Sequence, residues 1–174
     1  MYTQNFRPSS STAFNRVTFE TPDIDSLCRA QTVVDLHVHS TCSDGSSTPA
    51  DIAAKARELG FGVAITDHNS IAGALEIARY TDLLSIPGME VTSKEGAHLL
   101  TYFSEPRALK QFYNKEIYPF RGREQMSSIG LSMEDIIRRA RPYAPLLIFP
   151  HPYCAVYTGI CNPLFSPEHQ KELL

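Results

Sequence analysis

A chain of 174 residues has room for one domain with a sizeable core and is short for two. With 43% hydrophobic and 20% charged residues it has a globular composition, and a formal charge of −3 argues against a general nucleic-acid-coating role, which needs a basic face. No apolar run is long enough to span a bilayer and the N-terminus lacks a signal-peptide core, so a cytoplasmic location is the default expectation.

Residues 1–31 read as a polar, Ser/Thr-rich arm with little periodicity, and the ordered pattern of the domain runs over 32–174. Thr32 to His37 is β-branched and predicts a buried strand. A loop follows from Ser40 to Thr48, where Thr48 caps a helix that has Pro49 at its first position. Ile52, Ala56 and Leu59 share one face of that helix, and Gly60 stops it. Gly62 to Thr66 predicts a second buried strand, ending at Asp67-His68. Asn69 or Ser70 then caps a helix carrying Ile71, Leu75 and Ala78.

Leu83 to Val91 is the third predicted strand, interrupted by Pro87-Gly88, and His98 to Phe103 is the fourth. Ser104 and Pro106 open a helix with Leu109, Phe112, Tyr113 and Ile117 inward, followed by a polar loop from Arg121 to Leu131. Ser132 begins another helix, burying Ile136, Ile137 and Ala140 and stopping before Pro142. Leu146 to Phe149 is the fifth strand, ending at Pro150-His151-Pro152. This alternation predicts an α/β fold with a parallel sheet, whose chemistry sits where strands end. His98 begins its strand instead, which leaves an antiparallel connection open there.

The candidate site gathers at those ends. Side chains two apart on a strand share a side, so His37 and His39 can grip one ion together. Asp35, one alternate position earlier, is suited to orienting an imidazole. Asp44-Gly45 lies in the next loop, Asp67-His68 ends the second strand, and His151 ends the fifth. Glu90 sits in an apolar stretch, where a carboxylate is costly unless paired or ligating. Of six histidines only His169 reads as an ordinary surface residue. Imidazoles and carboxylates without a thiolate suit Zn²⁺, Mn²⁺ or Fe²⁺, and seven ligands imply two or three ions, with Glu90 as the bridge. The four cysteines, Cys28, Cys42, Cys154 and Cys161, form no C-x-x-C pair and read as free thiols. Lys94, Arg121 and Arg123 are candidate phosphate clamps, although a solvated face accounts for them more simply.

Four segments in order, Val34-Asp-Leu-His-Val-His-Ser-Thr-Cys-Ser-Asp-Gly45, Ile65-Thr-Asp-His-Asn-Ser-Ile-Ala-Gly73, Pro87-Gly-Met-Glu-Val-Thr92 and His98-Leu-Leu-Thr-Tyr102, closely resemble the polymerase-and-histidinol-phosphatase (PHP) family of metal-dependent phosphoesterases. The resemblance implies a distorted seven-stranded β/α barrel with two or three metals. It implies a first metal on His37, His39 and Glu90, a second on Glu90, His98 and His151, and a third on Asp44 and His68. By the same resemblance a metal-activated hydroxide attacks a phosphate mono- or diester, with Asp67 and His68 as the catalytic side chains. Asp44, where some members have His, resembles the subgroup acting on nucleotides and short oligonucleotides, so a phosphorylated small molecule or such a nucleic acid is the expected substrate. The family's closing Asp-x-His motif has no counterpart after His151, so the chain is expected to be C-terminally truncated. The alternative is a catalytically incomplete module for metal binding or protein interaction. A metal-dependent amidohydrolase also opens with His-x-His, but does not call for Thr-Asp-His on the second strand with Glu on the third.

Overall fold

The computed structural model describes residues 21–173 apart from Arg123, Gln125, Met126, Ala155 and Tyr157. Most of the N-terminal arm, and the candidate clamp Arg123, therefore lie outside the described residues. The end of the arm is a helix that the sequence reading did not anticipate, α1 (Ile24–Ala30), capped by the Asp23 carboxylate, which accepts from the Ser26 amide. Strand β1 (Val34–Val38) follows, then α2 (Pro49–Leu59), β2 (Gly62–Ile65) and α3 (Ala72–Ile77). The hairpin β3 (Gly88–Thr92) and β4 (His98–Tyr102) leads into α4 (Pro106–Phe112), α5 (Met133–Ala140), β5 (Leu146–Ile148) and α6 (Pro167–Leu173). No described helix is long and apolar enough to cross a membrane.

Local chemistry explains the clearest boundaries. Thr48 and Asp51 form a reciprocal capping box at the start of α2, and Gly60 ends that helix in the left-handed region at φ 71°. The α4 helix continues through a π turn (Tyr113–Ile117) and a 3₁₀ turn (Tyr118–Phe120), keeping Leu109, Phe112, Tyr113 and Ile117 buried. Ser132 caps α5 by accepting from the Asp135 amide.

The strands differ from the expected barrel. Among the described residues they form two groups and no closed barrel: β1 beside β2, parallel, and β3-β4-β5, antiparallel throughout. Between β3 and β4 only a short turn intervenes, closed by the Ser93 amide on the Ala97 carbonyl with Gly96 at φ 85°. A parallel crossover needs a dozen residues or more, so this connection has to be a hairpin. The two groups meet through single parallel bridges, Val63 to Ser85 and His68 to Glu90.

The first strand is also not the buried one expected. Its middle residues are exposed, Leu36 among them, and among the described residues only β2 flanks it. In α2, Ile52 and Ala56 are buried as their spacing predicts, but Leu59 at the helix end is exposed. One core lies between β3, β4, α4 and α5, with Met89, Leu99, Phe112, Met133 and Ile136 fully enclosed. A second packs Ile52, Ala53 and Ala56 of α2 and Ile77 of α3 against Val63 and Ile65 of β2. A third, smaller cluster of Ala64, Leu100 and Tyr102 lies between the two strand groups. On β4, alternation puts His98, Leu100 and Tyr102 on one face, opposite Thr92, Glu90 and Gly88 of β3. That face is polar at one end and apolar at the other, which fixes where the site is built.

Candidate metal centre

Five imidazoles form a closed ring around one carboxylate. Ring centroids run His37 to His39 at 5.1 Å, His39 to His68 at 4.6 Å, His68 to His98 at 4.7 Å, His98 to His151 at 5.3 Å, and back to His37 at 6.0 Å. Glu90, with only 1% of its side chain exposed, reaches both sides of the ring with different oxygens. Its Oε2 lies 3.1 Å from His37 Nε2, 2.9 Å from His39 Nε2 and 3.6 Å from His68 Nδ1. Its Oε1 lies 2.9 Å from His98 Nδ1 and 3.5 Å from His151 Nε2. Asp44 approaches from the loop after β1, 2.9 Å from His39 Nδ1 and 3.8 Å from His68 Nε2.

The donors converge in three groups whose atoms lie within 4.8 Å of one another: His37, His39 and Glu90; His39, Asp44 and His68; His68, Glu90 and His98. His151 stands just outside these, near the Oε1 side of Glu90. The residues fit divalent ions on a direct structural test. Glu90 Oε1 and His98 Nδ1 face each other at 2.9 Å, yet both are buried without a properly aligned hydrogen bond. Metal bonds of about 2.0–2.2 Å place neighbouring donors roughly 3 Å apart, which is the separation of these two atoms. His37 Nε2 and His39 Nε2, 3.0 Å apart, show the same spacing.

The electrostatics agree. Burial alone would raise the Glu90 pKa, but the imidazoles of His37, His39 and His98 outweigh it and hold the carboxyl far below its usual range. Burial would lower His39, but Glu90 and Asp44 overcome this and raise it. Desolvation prevails at His68, which is lowered and so stays neutral, the form that binds metals. Burial is the largest single influence on Asp44 and would raise it, but His39, His68 and the Ser43 hydroxyl together outweigh it and hold the carboxyl low.

The local chain is shaped for this assembly. A Cβ on Gly45 would stand 2.0 Å from the His39 carbonyl, so only glycine lets the Asp44 loop fold back on the ligand strand. His151 adopts φ 32°, a strained value for a non-glycine residue, between two prolines. Asp67 is 1% exposed, and its carboxylate accepts from the Ser40 amide at 2.7 Å, the Ser40 hydroxyl at 2.8 Å and the Ser43 hydroxyl at 2.8 Å. These bonds commit it to holding the loop that carries Asp44. Asp35, considered for orienting an imidazole, instead accepts from the His37 backbone amide.

His169 contacts Phe165, away from the cluster. None of Cys42, Cys154 and Cys161 joins the converging groups. The sequence reading passed over several supports. The Thr92 hydroxyl lies 3.4 Å from His68 Nδ1, and the Thr158 hydroxyl 3.4 Å from His151 Nδ1. The Tyr102 hydroxyl donates to the Leu36 carbonyl at 2.6 Å, tying β4 to the histidine-bearing strand. Only Thr92 had a sequence signal, being two residues past Glu90 and so on the same face of β3.

The PHP domain family model matches residues 35–141, which contain every ligand candidate except His151. An uncharacterised protein of Methanocaldococcus jannaschii is 29% identical over 144 residues, covering 76% of this chain and 74% of that protein. An error-prone DNA polymerase of Symbiobacterium thermophilum is 30% identical over 126 residues, covering 68% of this chain but 12% of the polymerase. The solved structure of a lesion-specific endonuclease from Pyrococcus furiosus shares the fold, with 23% identity and a TM-score of 0.54, over 66% of this chain and 33% of the endonuclease. The chain thus spans most of one relative and a small part of the others. A ring of strand-end imidazoles on a shared glutamate, inside a segment that the family model matches across more than half of the sequence, leads to one conclusion: the chain belongs to the PHP family of metal-dependent phosphoesterases.

Proposed function

We propose that the chain hydrolyses phosphate esters at this centre, with nucleotides or short oligonucleotides as the favoured substrates. The observation that carries the reading is Glu90, whose two oxygens face two separate sets of imidazoles, the arrangement of a carboxylate shared between ions. In this reading residues 32–174 are the catalytic domain and residues 1–31 an arm. His37, His39 and Glu90 would hold one ion, Glu90, His98 and His151 a second, and Asp44 with His68 and His39 a third; Zn, Mn or Fe suits these donors. Such ions would acidify water at neutral pH and neutralise the charge that develops on the phosphoryl oxygens.

The chain's own residues do the rest. His37, Asp44 and His151 are the partly exposed members of the cluster, so the ester enters on their side. Asp67 positions the Ser40–Ser43 loop rather than donating a proton, since three hydrogen bonds already occupy its carboxylate. His68, neutral and buried, serves as a ligand, which leaves protonation of the departing oxygen to the open side. The likeness to part of a DNA polymerase supports a nucleic-acid substrate. Tyr153 supports it too: 86% exposed and two residues past His151, it is an aromatic ring free to stack on a base.

The test is a screen of metal-loaded protein against mononucleotides, short oligonucleotides and sugar or histidinol phosphates, with chelated controls. Metal-dependent release of phosphate or nucleotide from the nucleic-acid set is the expected outcome. The open strand arrangement favours one rival, a metal-binding or interaction module. Fewer than two ions per chain together with no cleavage of any ester would establish that rival instead.

A further inference from the structure

His68 is the least exposed imidazole of the ring, and the residue after it does something no ligand does. Asn69 is 1% exposed and sits in the left-handed region at φ 46°, which asparagine tolerates better than most residues. Its backbone amide donates to the Glu90 carbonyl at 2.8 Å. Its side-chain Oδ1 accepts from the Thr92 amide at 3.0 Å, while Nδ2 donates to the Ser127 carbonyl at 2.9 Å. The amide orientation is unambiguous, because an N–H requires the oxygen and a carbonyl requires the nitrogen.

Thr92 is thereby fixed on both sides. Its amide is held by Asn69, and its carbonyl accepts from the Ile129 amide at 3.0 Å. Its hydroxyl faces His68 Nδ1 at 3.4 Å, leaving His68 Nε2 on the Asp44 side. A hydroxyl held against one ring nitrogen restrains the ring in the orientation in which the other nitrogen can bind a metal. We propose that Asn69 is a positioning residue for the Asp44–His68 ion: through Thr92 it fixes the His68 ring, and through Ser127 it pins the Ser127–Leu131 segment beside the centre. This inference rests on the metal-centre reading given above, but not on turnover.

Two variants separate the steps. Asn69→Gly keeps the left-handed backbone accessible while deleting the clamp, so it is the variant expected to fold; Asn69→Ala adds backbone strain to the same loss. Thr92→Val keeps both backbone hydrogen bonds and removes only the hydroxyl facing His68. Chelator-stripped protein is titrated with Mn²⁺, bound and free ion being distinguished by electron paramagnetic resonance, and amide exchange of residues 127–131 is followed by mass spectrometry. Both variants are expected to weaken the last-filled ion by about 10–100-fold while the tightest ion is retained. Faster exchange in residues 127–131 is expected in Asn69→Gly but not in Thr92→Val. Wild-type Mn²⁺ binding in Asn69→Gly, or equal weakening of every ion, would overturn the proposal, and wild-type binding in Thr92→Val alone would overturn the route through the hydroxyl. If the ions bind as proposed but no ester is cleaved, the phosphoesterase reading fails and this one stands.

Discussion

The two strand groups deliver ligands under opposite conditions. Strand β1 is an edge, its middle residues exposed, and its His37 keeps 32% of its side chain in solvent. Strand β3 is buried along its whole length, and its Glu90 keeps 1%. An exposed imidazole that loses its ion can turn to water, whereas a buried carboxylate without partners carries the full penalty of desolvation. The glutamate is therefore the group the rest of the centre has to satisfy, and the exposed imidazoles are where solvent reaches the cluster.

Substitutions can break that contrast. The largest effect is expected from Glu90→Gln, which removes the anion that both imidazole sets face: loss of bound metal and a fall in kcat of about three orders of magnitude or more. Metal analysis alongside steady-state rates checks this, and near-normal metal content would show that Glu90 is not the bridge. Next come His98→Ala at a well-buried imidazole and His37→Ala at a more exposed one, on opposite oxygens of Glu90. Each is expected to lose the ion on its own side of Glu90, with His37→Ala the milder, roughly 10–100-fold in affinity, because water reaches the vacated position. Identical losses in competition titrations would erase the distinction between the two sides.

The pH dependence sharpens the comparison further. His39 has a raised pKa, because Glu90 and Asp44 outweigh its burial. In chelated protein its proton therefore adds stability that is fully present below about 6.5, the ordinary histidine value, and is lost as pH rises through the higher folded value. Bound ions require that proton to leave, so their contribution grows over the same rise, while His68, already neutral, releases none. Melting curves with and without chelator are thus expected to diverge as pH increases; curves that stay parallel would contradict the protonation assigned to His39. The smallest effect expected is from Tyr153→Ala, two residues past His151, raising KM about five- to tenfold for an oligonucleotide and leaving KM for glycerol phosphate unchanged. Equal shifts for both substrates would remove base stacking as the reason for the exposed ring.

Much of the centre was legible because ligation imposes residue types that nothing else in an α/β chain explains. His-x-His at a strand end, a carboxylate within an apolar run and Asp-His after a β-branched segment each need a partner. Helix starts were legible for a similar reason, since caps such as Thr48 and Ser132 act within one turn. The helix of the arm was missed because Asp23 caps only seven residues and the apolar pattern inside them is weak.

What the sequence alone determined, then, is which residues gather in the cluster and the family that carries them, because those depend on residue identity at short spacings. Only the tertiary structure decided that β1 is an exposed edge, that β3 and β4 turn back on each other, and that no barrel closes among the described residues. It alone showed that the Asp67 carboxylate is bonded to the loop carrying Asp44, and that Asn69 and Thr92 stand behind His68. Strand direction, burial and hydrogen-bond partnership depend on residues far apart in the chain, and no local pattern records which of them meet.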